Sequence, residues 1–327
     1  MQRRRPLESW VAVASLVGAL GVSAVIAGCG GDDGGVIALD AAPAPDAGLD
    51  AAPDARPDAG VACASPDPCP WIDDELRTLV AVLSGAQPTP AGTTLVRRAS
   101  AAERAAARDY LAGELERLGL NVERRSYGTG VNLVVHLAST TGADSAPPII
   151  VGGHYDGVAA SPAAADNATG TAVAVVAAAY LAGRPRAVPI DVVLFDQEEA
   201  GLIGSGAYVA AMGTTPIHSM HNFDMISFDG DGDRVVELWS PAPALEALYR
   251  AEATGRGLAI APVTFALSDH QSFVERGLPA VGVAEEFVGG DHTPHYHRAT
   301  DTLDKIDFAY LGAVTRLGLA VIETDAN

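Results

Sequence analysis

Between residues 131 and 284, short apolar runs alternate with longer stretches of helical character, and this alternation limits the fold more than any other feature of the chain. Runs at 131–137, 148–153, 190–196, 221–226, 235–239 and 280–284 read as strands, and several are apolar almost without interruption. A strand with one wet face alternates apolar and polar residues, whereas a strand covered by helices on both faces does not. Residues 169–181, 204–212, 242–255, 270–276 and 308–322 read as helices, as do 71–83 and 100–118 upstream. The helix at 100–118 opens on Ser100 with Glu103 three residues later, a capping box, and stops at Gly119. Strands alternating with helices predict an α/β domain of three layers, α/β/α, around a mixed, largely parallel sheet.

Sheets of this kind bind ligands at the C-terminal ends of their strands, and the polar residues collect there. The run at 148–153 delivers His154 and Asp156, two apart and so on one side of an extended chain. His154 can bind a metal ion while Asp156 accepts the proton on its other ring nitrogen. Asp166 precedes an apolar helix, where it is either a cap or a ligand. The run at 190–195 ends in Asp196-Gln197-Glu198-Glu199. One of the two glutamates can bind metal while its neighbour acts as a base; the other reading is a solvated acidic turn. Asp224 is expected inside an apolar strand, where a carboxylate without a cation is costly. His295-Tyr296-His297, followed by Asp301-Thr302, is the last such element. Imidazole with carboxylate is a normal zinc set. Two histidines and three carboxylates are too many for one tetrahedral site, but sharing a bridging carboxylate they suit two ions about 3.5–4 Å apart.

The series GGHYDGV at 152–158, ADNATG at 165–170, FDQEEAGLIGS at 195–205, NFDMIS at 222–227, SDHQSF at 268–273 and YHRATDTLDKID at 296–307 resembles, in this order, the co-catalytic zinc aminopeptidases of clan MH, which include bacterial leucine aminopeptidases. The resemblance covers residues 71–322. It implies two zinc ions, with His154 and Asp224 on one, Glu199 and His297 on the other, and Asp166 bridging. It also implies Glu198 as general base, Asp156 as the residue that orients His154, and Tyr296 as a candidate oxyanion stabiliser. The implied substrates are peptides with a free N-terminus, attracted by an acidic rim. The chain departs from the family at Gln197, where a glycine or other small residue is common, and in the crowding of His297 by His292 and His295. His136, His218 and His221 are read as bland, and His270 as structural or at the pocket rim. Other readings are a carboxypeptidase or dipeptidase on the same scaffold, a glutaminyl cyclase-like acyltransferase with a single working zinc, and a binding module on a decayed peptidase scaffold, which should have lost a ligand or Glu198.

The N-terminus reads as an address. Arg3, Arg4 and Arg5 precede an apolar run from Trp10 to Ala27 that closes at Ile26-Ala27-Gly28-Cys29. This is a signal-peptide pattern, although the run is also nearly long enough for a single membrane-spanning helix, and a cysteine after small residues resembles a bacterial lipobox. Residues 1–28 are thus expected to be a lipoprotein signal peptide and Cys29 the lipidated residue, giving an exported, envelope-anchored protein that meets the membrane only through its lipid. Residues 29–70, rich in Ala, Pro and Asp, are expected to be a disordered tether, and 71–327 the catalytic domain. Cys63 and Cys69 are either free thiols or, in an oxidising compartment, a small disulfide loop. The formal net charge is −20, of which about −15 falls after residue 70. That excess argues against a nucleic-acid partner.

Overall fold

The computed structural model describes residues 63–327. The expected signal peptide, Cys29 and most of the tether lie outside the described residues.

Eight strands form one sheet: β1 (Val122–Tyr127), β2 (Gly130–Leu137), β3 (Ile149–His154), β4 (Ile190–Phe195), β5 (Ser219–Phe223), β6 (Val235–Trp239), β7 (Ala259–Val263) and β8 (Ala280–Ala284). Their spatial order is β1-β2-β4-β3-β5-β8-β6-β7. The central strands β4, β3, β5 and β8 run parallel; β1 and β2 join antiparallel on one side, and β6 meets β8 antiparallel on the other. The sheet is therefore mixed, with a parallel centre. Every residue of β3, β4, β5 and β8 is buried, which accounts for the near-continuous apolar runs of β3, β4 and β8, while β5, Ser-Met-His-Asn-Phe, is buried with polar residues included.

The helices are α1 (Pro70–Leu83), α2 (Ala101–Arg117), α3 (Gly170–Ala182), α4 (Ile203–Met212), α5 (Pro243–Ala253), α6 (His270–Val274) and α7 (Phe308–Asp325). The capping box forms: Ser100 Oγ accepts the Glu103 N–H and Glu103 returns a bond to the Ser100 N–H. Alternate residues of the central strands face two separate cores. Val151, Val192 and Leu194 pack with α1, α2, α3, α5 and α7, while Ile150, Val193 and Phe195 pack with Tyr208 and Val209 of α4 and Phe273 of α6. Three layers result, as the period-two geometry of a strand requires.

The structure adds two strands to those read from sequence, β1 and β7, and both are sheet edges. It also corrects one end: β5 closes at Phe223, so Asp224 stands just beyond the strand rather than inside it. Residues 63–69, placed in the tether by composition, pack on the domain. Cys63 and Cys69 are disulfide-bonded, with Cα atoms 5.6 Å apart. Arg184 donates to the Cys63 and Ala64 carbonyls, Arg316 donates to those of Pro66 and Cys69, and Arg256 pairs with Asp67.

Candidate metal centre

Because β4, β3 and β5 are parallel, their C-terminal ends form one edge, and the polar residues gather there. His154 is the last residue of β3. Glu198 and Glu199 lie in the turn after β4, and Asp224 follows β5. Asp166 sits in the tight turn Ala164–Thr169 that leads into α3. That turn is pressed against the end of β5. Asn167 Nδ2 donates to the Phe223 carbonyl at 3.0 Å, and its Oδ1 accepts the Gly170 N–H at 2.8 Å. A Cβ on Gly170 would lie 2.0 Å from the Phe223 oxygen, so only glycine fits there. His297 comes from the long loop between β8 and α7.

These residues form two groups that share a member: His154, Asp166 and Asp224, and Asp166, Glu199 and His297, with the ligand atoms within each group no more than 4.8 Å apart. Asp166 Oδ1 lies 3.4 Å from His154 Nε2, and Asp166 Oδ2 lies 3.0 Å from His297 Nε2. Asp224 Oδ1 is 3.6 Å from His154 Nε2, and Glu199 Oε2 is 3.0 Å from His297 Nε2. Asp156 connects the strand to the acidic turn. Its Oδ1 lies 3.3 Å from His154 Nδ1 and accepts the Glu198 N–H at 3.0 Å, while its Oδ2 accepts the Glu199 N–H at 3.1 Å. Gln197 has a φ of 64°, the left-handed region that suits glycine, and its Oε1 accepts a hydrogen bond from Thr129.

The electrostatics of the cluster call for cations. Burial opposes a charged His154, yet Glu198 and Asp224, with Asp156 and Asp166 beside it, push the imidazole well above its ordinary range. His297 follows the same logic: burial pulls it down, but Asp166 and Glu199 carry it up to about 10. Burial drives Glu198 well above the usual carboxylate range and raises Glu199 and Asp224. His154 Nε2, His297 Nε2, Asp224 Oδ1 and Glu199 Oε1 are all buried and make no hydrogen bond. Buried polar atoms are rarely left so, and metal ions between neutral imidazoles and ionised carboxylates would satisfy them together. The residue set therefore fits zinc.

Several neighbours were given no role from sequence. Ser268 Oγ donates to Asp224 Oδ2 at 2.6 Å. Asp269 is wholly buried with neither carboxylate oxygen in a hydrogen bond, and burial raises it to about 7. Asp301 accepts the Ala165 and Asp166 N–H groups at 2.8 and 3.3 Å. The sequence carried signals for all three, the SDHQSF motif at 268–273 and the Asp301-Thr302 spacing behind His297, but neither assigned them a role in the site. Of the crowding histidines, His292 packs on Phe287 with ring centroids 4.6 Å apart, and His295 bonds Thr300; neither belongs to a ligand group. A further acidic group on the loop after β5, Asp229, Asp231 and Asp233, also lies close together.

An aromatic wall extends from the cluster. Tyr296 stacks on His297 at 3.9 Å, and Phe287 contacts Tyr296 at 5.4 Å and Phe265 at 5.4 Å. Phe265 leans on Trp239 at 4.3 Å.

Residues 132–322 match the profile of peptidase family M28. The chain is 30% identical over 200 residues to "Leucine aminopeptidase 2" of Arthroderma otae, covering 52% of this chain and 40% of that protein. It is 29% identical over 210 residues to the "Probable lipoprotein aminopeptidase LpqL" of Mycobacterium tuberculosis, covering 54% and 42%. The chain thus spans about two fifths of the length of these curated relatives. Among solved structures, the LapA aminopeptidase of Legionella pneumophila superposes with a TM-score of 0.67 at 19% identity, over 78% of this chain and 72% of that one. The glutaminyl cyclase of Bacteroides thetaiotaomicron superposes with a TM-score of 0.63 at 18% identity, over 77% and 97%. These likenesses establish the shared α/β fold.

Proposed function

The chain belongs to peptidase family M28, and from that premise we propose that it is a di-zinc aminopeptidase that releases single residues from the N-termini of peptides. One observation carries the reading. The two ligand groups are complete and meet at a single carboxylate, Asp166, whose two oxygens face different histidines. His154 and Asp224 would hold one zinc, Glu199 and His297 the other, and Asp166 both. Zinc so placed supplies Lewis acidity toward the scissile carbonyl and toward a water molecule.

The remaining chemistry belongs to the chain. Glu198, within 3.9 Å of His154 but in neither ligand group, takes the proton of the attacking water and returns it to the leaving amine. Its backbone is fixed by Asp156, so base and ligand are held by one carboxylate. Asp156 also keeps His154 in the tautomer that leaves Nε2 free. Tyr296, stacked on His297, is the candidate hydroxyl donor to the developing oxyanion. The surplus of carboxylates favours a substrate whose own end is a protonated amine.

Glutaminyl cyclases share the fold, but an acyltransferase with one working zinc has no use for a second complete ligand group. A carboxypeptidase needs a free cation for the substrate carboxylate. Arg98 and Arg104, which reach segments that carry site residues, are committed to backbone carbonyls and to Asp196. At its N-terminus we read a lipoprotein signal over residues 1–28 and a lipid on Cys29, which would place the enzyme on the cell envelope. The lipoprotein relative supports this reading.

The test is a metal count by mass spectrometry on purified protein, with an assay panel of aminoacyl-anilides, N-blocked peptides, C-terminal substrates and peptides that begin with glutamine. Two zinc ions per chain and hydrolysis confined to free-amine substrates are expected. One zinc with cyclisation of N-terminal glutamine would assign the chain to the cyclases instead.

A further inference from the structure

Arg98 is fully buried and lies between α1 and α2, outside every motif read from the sequence. Among the described residues its guanidinium forms no ion pair. Instead it donates to four backbone carbonyls. Nε bonds the Tyr155 oxygen at 2.7 Å, Nη2 bonds that of Ala163 at 2.8 Å, and Nη1 serves Pro162 at 3.2 Å and Leu83. The Arg98 carbonyl in turn accepts the Gly157 N–H at 3.2 Å.

Three of these partners border the site. Tyr155 stands between His154 and Asp156. Pro162 and Ala163 lead directly into the turn that presents Asp166. Leu83 is the last residue of α1, where unpaired carbonyls carry partial negative charge and favour a cation. Ala163 has a φ of 60°, which is strained for a residue with a Cβ and persists only where neighbours hold it. Arg98 holds that residue through its carbonyl. Asp301 holds the next ones through the Ala165 and Asp166 N–H groups.

A buried guanidinium is expensive to desolvate, and an apolar side chain of similar volume would be the cheaper way to fill the space. What it offers in return is five donors in a rigid fork, which no other side chain can direct at several segments at once. We propose that Arg98 is a positioning residue for the metal centre: it shapes the segment 155–166 so that Asp156 and Asp166 stand in place before any metal ion arrives. Burial lowers the guanidinium to about 10, with Asp301, Asp156, Asp166 and Glu199 acting to keep it charged, so it carries its charge at neutral pH. The inference rests on the reading of the cluster as a zinc centre.

The test uses the full chain. Zinc affinity is measured by competition with a chromogenic chelator for wild type, Arg98→Lys and Arg98→Met, alongside melting temperatures of metal-free and zinc-loaded protein. Lysine keeps the charge but cannot reach three segments. Both variants should therefore bind zinc about 10–100-fold more weakly, the range for residues that orient ligands, and the upward shift in melting temperature on adding zinc should shrink. A filler role alone would lower both melting temperatures together and leave zinc affinity unchanged, which overturns the proposal. Recovery of wild-type affinity by lysine overturns it too, because charge without the fork would then suffice.

Should neither variant fold, amide exchange on metal-free wild type decides. The amides of 157 and 164–168 should be protected without zinc; exchange at loop rates until zinc is added would refute pre-shaping. Wild type that binds no zinc at all would instead sink the zinc reading.

Discussion

Glu198 and Glu199 are neighbours in the chain, yet their carboxylates reach opposite halves of the cluster: Glu198 Oε2 lies 3.9 Å from His154 Nε2, and Glu199 Oε2 lies 3.0 Å from His297 Nε2. The two should fail in different ways. Glu199→Gln is expected to lose zinc and activity together. Glu198→Gln should retain both zinc ions and lose roughly 10²–10⁴ in turnover, the usual cost of removing a general base, with the loss in kcat rather than KM. Metal analysis beside steady-state kinetics separates the outcomes. A Glu198→Gln protein with full metal and near-normal kcat would remove Glu198 from the base role.

At the opposite end of the sheet, Asp325 closes α7 against β5. It accepts bonds from Ser219 and from His221 Nε2 at 3.3 Å, and lies 3.2 Å from His218 Nε2. Burial acts to raise its carboxyl, but the His221 and Ser219 hydrogen bonds and the two imidazoles outweigh it, so the folded value is depressed. A depressed carboxylate adds stability above its unfolded pKa of about 3.9 and loses it as the pH falls through the folded value. Asp325→Asn should therefore cost on the order of 1 kcal/mol near pH 7, allowing for solvent screening at the helix end, or about 2–4 °C in Tm. The gap to wild type should close below about pH 4. A gap that stays constant in melts from pH 3 to 7 would show that the charge plays no part.

The centre of the fold was legible because buried parallel strands leave one unmistakable trace, a continuous apolar run, as in β3, β4 and β8. The edges carry no such trace. β1 reads Val-Glu-Arg-Arg-Ser-Tyr and is half wet, while β7 includes Pro262, which a central strand would exclude. Within the site, the candidate ligands were visible as polar residues at strand ends. Their supports were not. Arg97 and Arg98 look alike in sequence, and only the packing shows that Arg98 turns inward while Arg97 stays exposed and donates to the Ala159 carbonyl. Asp269 lies in the SDHQSF motif, but only the packing shows that it is completely buried beside the cluster. Gln197 runs the other way. The family tendency toward a small residue there gains a physical reason in the positive φ.

Lipidation of Cys29 can be read without any structure. Fatty-acid labelling in a host that processes lipoproteins should mark the wild type, and Cys29→Ser should abolish the label and release the protein from membranes. Equal labelling of the two would refute the lipobox reading.

The aromatic wall predicts which N-terminal residues are preferred. Phe287 is its hub, in ring contact with Trp239, Phe265, His292 and Tyr296. The wall begins at His297, the proposed ligand, and Leu267 and Val288, two of the few large apolar residues that are exposed among the described residues, lie close to Phe265 and Phe287 in sequence. An apolar surface that starts at a metal ligand is where the side chain next to the scissile bond would lie. Covering a leucine or phenylalanine side chain there is worth about 1.5–3 kcal/mol, whereas an alanine gains little. Leucyl- and phenylalanyl-anilides should thus be cleaved with higher kcat/KM than alanyl-anilide. Phe287→Ala should lower kcat/KM for the large substrates by about 10–100-fold, the range set by a few methylenes of lost contact, and leave alanyl-anilide within a few-fold. Zinc content should not change, since Phe287 touches no ligand directly. An equal loss on every substrate would mean that the ring merely props Tyr296 and His297, and the specificity assignment would fall.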